Sequence, residues 1–170
     1  MNIDELRALE KNSITESAKH LSKGDVDFLM RTLVEKDDTV RYNAFLLLQE
    51  NSKESPLVYE YWEKLAEKLE SDNSYQRSIG LMLLSENIRW DKEGKFAKVI
   101  DKYFSYCADE KFITARQAIQ GLTKVLNPTK VYDEKIKQQL ANLQLEKYKE
   151  NQQKLLNKDK ANVQKILKNR

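Results

Sequence analysis

Three arginines are the residues of this sequence best equipped for chemistry. Arg41, Arg77 and Arg116 stand 36 and 39 residues apart. Each follows an acidic turn (Asp37-Asp38, Asp72 or Asp109-Glu110) and opens a strongly apolar stretch. A guanidinium keeps its charge at any accessible pH and presents a rigid fork of donors, so the series has two possible uses. It could form a ladder of cations for phosphates or carboxylates, or it could supply interior struts that pair with the acids of their own or the next turn. Plotted at 100° per residue, Val40, Ala44, Leu47 and Leu48 form one stripe with Arg41 at its edge, which favours struts for Arg41, Arg77 and Arg116, with Asp38, Asp72 and Asp109 as partners.

Other chemistry finds little support. The sequence has no Gly-x-Gly-x-x-Gly, Walker loop, His-Glu-x-x-His or Gly-x-Ser-x-Gly. Its one cysteine, Cys107, ends an apolar helix and reads as a small core residue, and with a single histidine, His20, it cannot form a zinc site of the Cys and His type. His20 falls in an amphipathic N-terminal segment where a surface or helix-end place is expected. The acidic pairs sit at helix starts, where capping and the helix dipole explain them. Neither an enzyme, a metal nor a cofactor is expected.

These residues must be positioned by helices. With 170 residues, 40% hydrophobic, 34% charged, four Gly and two Pro, the chain has the composition of one helix-rich domain and lacks the turn residues of a sandwich or barrel. The acid-arginine-apolar unit recurring near 36 to 39 residues marks stacked helical hairpins. Apolar spacing and caps predict helices at 2–11, 14–21, 25–35, 38–51, 56–70, 73–88, 92–107, 110–126, 130–141 and 146–168. Ser13/Glu16 and Ser22/Asp25 fit the Ser-x-x-acid cap, Ser55-Pro56 fits a cap before a first-turn proline, and Asn127-Pro128 stops a helix. Trp62 and Trp90 are expected in packing roles. The tail needs a break near 142–146, because Ile136, Leu140 and Leu143 make one stripe while Leu145, Tyr148, Leu155, Leu156, Val163 and Ile166 lie on another side of the same ideal helix.

Val40-Arg41 with Asp38 and Ala44 resembles the opening of the second helix in HEAT repeats, and the Gln76/Gly80 and Ala115/Ile119 copies are degenerate versions of it. The strings Asp72–Leu81, Trp90–Glu93 and Asp109–Gln117 are similar to a family of small bacterial HEAT-like proteins, common in Firmicutes and often labelled SufBD proteins, which has no assigned activity. The label suggests iron–sulfur cluster assembly, but a single cysteine cannot hold a cluster alone. The resemblance implies an all-α, right-handed α-α superhelix of HEAT-like or armadillo type. One domain over 1–170 would hold N-terminal capping helices (1–24), three repeat pairs (25–127) and a basic C-terminal helix pair (128–170).

The side of the second helices away from the arginines is the expected contact surface. It carries Tyr42, Leu46 and Gln49 in the first copy, Ser78, Met82 and Ser85 in the second, and Gln117, Gly121 and Lys124 in the third. Apolar and amide groups with few charges suit a protein or peptide partner, unless the N-terminal helices or the tail cover this side. The expectation is therefore a non-enzymatic adaptor or regulatory module. Nucleic acid is the second partner class, by distant similarity to HEAT-like DNA glycosylases. Residues 1–128 carry 19 Lys/Arg against 22 Asp/Glu, a net −3, so only residues 129–170, with 11 against 5, a net +6, suit a polyanion. Acidic residues Asp4, Glu5, Glu10 and Glu16 interrupt any leader-like run, and no membrane-length apolar stretch follows, so a cytoplasmic location without membrane contact is expected.

Overall fold

The computed structural model describes residues 1–170 and is all-α, with ten α-helices, short 3₁₀ turns and no strands. The chain forms two compact units, residues 1–62 and 63–170. The ten expected helices each appear, most of them shortened at the ends by a few residues.

Unit 1 holds α1 (Ile3–Ala8), α2 (Ile14–Lys19), α3 (Lys23–Thr32) and α4 (Asp38–Glu54). Capping explains where they start. Ser22 and Asp25 form a reciprocal capping box on α3, Asn2 and Glu5 form another on α1, and the Asp37 carboxylate accepts from the N–H groups of Thr39 and Val40 at 3.0 and 3.1 Å. Two expected caps fail for local reasons. Ser13 is itself in a helical conformation and its hydroxyl donates back to the Glu10 carbonyl. Ser55 ends α4 in an extended conformation, as the residue before a proline prefers, and its Oγ accepts from Leu57 N; the next helical turn waits until Tyr59. The apolar stripe of α4 (Val40, Ala44, Leu47, Leu48) is fully buried, together with Leu6, Val26, Leu29 and Leu33. Two asparagines fix the short N-terminal helices to α4. Asn43 Nδ2 donates to the Leu6 carbonyl at 2.8 Å and Asn51 Nδ2 to the Ala18 carbonyl at 2.9 Å.

Unit 2 continues through the rest of α5 (Trp62–Glu67) and its following 3₁₀ turn (Lys68–Glu70) to α6 (Ser74–Asn87), α7 (Phe96–Ser105), α8 (Phe112–Leu126), α9 (Asp133–Ala141) and α10 (Glu150–Lys168). Helix α8 packs on α6 along one edge and on α10 along the other. Between α6 and α7 the chain turns through Gly94, whose φ of +70° suits glycine, while the Asp91 carboxylate accepts from Lys95 N and Phe96 N at 2.9 and 2.8 Å. The tail breaks between Ala141 and Glu150, so each of its two stripes finds its own neighbour: Ile136 and Leu140 are buried on α9, and Leu156 and Val163 on α10.

Close helix approach rests on two glycines. A Cβ on Gly80 would lie 3.0 Å from both the Leu65 carbonyl oxygen and Lys68 Cβ. Gly80→Leu is therefore expected to destabilise the protein by about 1–3 kcal/mol through overpacking. An unchanged urea midpoint would show that this crossing tolerates separation.

Candidate functional site

The arginines occupy three different settings. Arg77 is 7% exposed and grips Asp109 with both arms of its fork, Nε to Oδ2 at 3.0 Å and Nη2 to Oδ1 at 3.1 Å. Its Nη1 donates to the carbonyls of Ser71 and Asp72, both at 3.0 Å. Four of the five guanidinium donors are thus engaged, as a buried cation requires. Asp109 in turn accepts from Lys111 N at 2.7 Å, so one carboxylate both fixes the turn that leads into α8 and holds the preceding helix pair. The phenol of Tyr148 donates to the Asp109 carbonyl from above, and burial pushes the Tyr148 pKa up to about 12.

Arg116 finds a partner outside the expected set. Its Nε and Nη2 reach Asp159 of α10 at 2.7 and 3.1 Å, and Gln120 Nε2 joins the same carboxylate at 3.0 Å. The Asp159 bond raises the Arg116 pKa. Arg41 pairs within its own turn, with the Asp38 carboxylate and, at 2.7 Å, the Glu35 carbonyl. The Asp72 carboxylate is not a partner of Arg77; only its backbone carbonyl is.

The contact surface expected from the sequence is divided by the structure. Ser78 and Ser85 do not belong to an open face. They are 7% and 1% exposed and form the α6–α8 seam, where Ser78 Oγ meets Thr114 Oγ1 at 3.1 Å and Ser85 lies against Gly121. These small residues at i and i+7 serve the close approach of one helix to the next. Beside the seam, Met82, Gln117 and Lys124 remain partly exposed. Lys124 closes over Glu86, a carboxylate 2% exposed, which Arg89 Nη2 also reaches at 3.0 Å. Two further residues join this face that the sequence reading missed: Tyr75 (37% exposed) and Ile113 (58%). Counting 100° per residue from the seam positions Ser78 and Thr114, Tyr75 and Met82 fall on the same side of α6, and Ile113, Gln117 and Lys124 on the matching side of α8. The legible signal was a large apolar residue in the first helical turn, off the buried stripe.

In unit 1, Tyr42 is exposed and Leu46 and Gln49 are partly so. The N-terminal helices grip α4 through Asn43 and Asn51, to one side of this row, so α1 and α2 leave it accessible.

Reactive groups outside these faces have structural surroundings. His20 is exposed at the end of α2, its Nε2 3.1 Å from Glu16. Trp62 is buried and stacks at a tilt on Tyr59, while Trp90 is half-buried. No three His, Cys, Asp or Glu side chains converge to hold a metal ion, and no helix is long and apolar enough to cross a membrane. Cys107 is fully buried, and desolvation pushes its thiol up to about 12. Native protein at pH 8 is expected to resist alkylation, with one thiol per chain reacting in denaturant; rapid native labelling would contradict this burial.

No known protein family, curated protein or solved structure matches the chain.

Proposed function

We propose that this protein is a non-enzymatic binding module of HEAT-like type, acting in the cytoplasm, in which α3–α4, α5–α6 and α7–α8 are the three repeat pairs, α9–α10 is the C-terminal pair, and the face formed by α6 and α8 takes up a protein or peptide partner. The observation that carries this reading is the row of Tyr75, Met82, Ile113 and Gln117 beside a rigid seam. Two exposed large apolar groups, an adaptable thioether and an amide lie on helices whose spacing is fixed by Ser78, Thr114 and Gly121. Rigid elements with aromatic and apolar anchors and few free charges are the usual make-up of an interface core. Tyr42, Leu46 and Gln49 offer a second surface of similar chemistry on α4. The resemblance to small Firmicute HEAT-like proteins bears on the fold alone and adds no functional residue.

Photo-crosslinkers placed at Met82 and Gln117 in the native host test the reading. A discrete crosslinked partner, lost in Tyr75→Ala/Ile113→Asp at unchanged melting temperature, is the expected result. Equal crosslinking from an α10 surface position such as Lys154 would remove the face from consideration. The basic segment supports nucleic acid as a second reading. Salt-dependent anisotropy with DNA and RNA separates it, since purely non-specific attraction stays at about 10⁻⁴ to 10⁻⁶ M near physiological salt.

A further inference from the structure

A cleft of about 450 Å³ opens between the start of α9 and the end of α10. Asp133, Glu134 and Lys137 of α9, with Lys130 in the turn before it, line one wall, and Gln164, Leu167 and Lys168 of α10 at i, i+3 and i+4 line the other. In a tightly packed helix pair such facing stripes would be apolar. Here Ile136 with Leu140 and Leu156 with Val163 are buried, and the residues lining the cleft are polar except Leu167.

The charge in the cleft is unbalanced. Arg170 neutralises Asp133, with Nη1 to Oδ1 at 2.7 Å, and ties its Nη2 to the Thr129 carbonyl at 3.0 Å. Glu134 points largely to solvent and meets Lys137 only at 3.9 Å. Lys130 and Lys168 have no carboxylate partner. Two ammonium groups and a third loosely held one thus surround a cavity with one apolar contact, Leu167, and one amide, Gln164.

We infer that this cleft is a binding site for an acidic peptide segment, in which two carboxylates straddling an apolar side chain meet Lys130 and Lys168 while that side chain rests on Leu167. Its volume lies within the range of about 300–1,000 Å³ usual for ligand pockets. A nucleic-acid strand fits less well. No aromatic side chain lines the cleft to stack a base. The site is separate from the α6–α8 face and stands or falls independently of it.

The test uses the full chain and fluorescence anisotropy with a short labelled Asp/Glu peptide carrying a central leucine, its Asn/Gln counterpart, and single-stranded DNA and RNA of similar length. Both lysines are surface groups without structural partners, so Lys130→Glu/Lys168→Glu should fold normally, which circular dichroism checks. Lys154→Glu/Lys158→Glu makes the same charge change elsewhere on α10. The acidic peptide is expected to bind, the amide counterpart not, and the cleft variant to weaken binding by about tenfold or more while the α10 control changes it by less than about threefold. Leu167→Ser should also weaken it. Equal losses in the two charge variants, tighter binding of the oligonucleotides, or no binding of the acidic peptide would each overturn the assignment.

Discussion

Gly121→Ala is expected to lower stability by about 3–5 kcal/mol, an unusual effect for one methyl group. The added Cβ would overlap the phenolic oxygen of Tyr103 and fall 3.0 Å from Ser85 Oγ. Neither neighbour can yield easily. Tyr103 is fully buried, its ring packs edge-on against Phe96 at 5.5 Å, and its hydroxyl donates to the Ala118 carbonyl at 3.0 Å. Moving the ring strands a buried hydroxyl, and moving α8 opens the seam that Ser78 and Thr114 close. The mechanism predicts its own rescue: Tyr103→Phe removes the oxygen in the way, so Gly121→Ala should be much milder in that background. Urea midpoints of the four proteins in this cycle give the coupling. If the two substitutions simply add, the clash is not with the phenol and the account of the seam fails.

Arg77→Ala should be comparably severe, about 3–5 kcal/mol, because it leaves Asp109 buried without its cation and frees two carbonyls at the end of the preceding turn. Arg77→Lys should recover less than half, since an ammonium cannot grip both carboxylate oxygens and both carbonyls at once. In an Asp109→Asn background, where Oδ1 still caps Lys111 but the charge is gone, Arg77→Ala should lose much of its effect. Denaturation curves for the set decide it. A fully stable Arg77→Ala protein would return the arginine to the surface as a ligand-binding group.

The helices were legible because their signals are local. Asp37, Asn73 and Ser22 cap their own first turns, and the α4 stripe needs only its own periodicity to declare which side is buried. The tail break was legible too, since two stripes cannot share one straight helix. What failed depended on partners distant in sequence. Ser78 and Ser85 look equally suited to a groove or a seam until Thr114 and Gly121 are opposite them. Asp159 was overlooked in a lysine-rich helix, although Leu156, Asp159 and Val163 at i, i+3 and i+7 put a carboxylate on the buried stripe, where it requires a cation. That cation is Arg116, and no local pattern around Arg116 says so.

The pairings of Arg77 and Arg116 also run in one direction. Each arginine reaches a carboxylate that the ribosome adds later, 32 residues on for Asp109 and 43 for Asp159. As the nascent chain emerges, α6 can pack on the preceding turn through Gly80, but Arg77 meets its carboxylate only when the start of α8 has been made, and Arg116 only when most of α10 has followed. The two buried ion pairs of unit 2 are thus completed only once Asp159 has been added. The same coupling opposes fraying from the C-terminal end, so amide exchange in α6, α8 and α10 should report one shared opening event in place of a gradient along the chain.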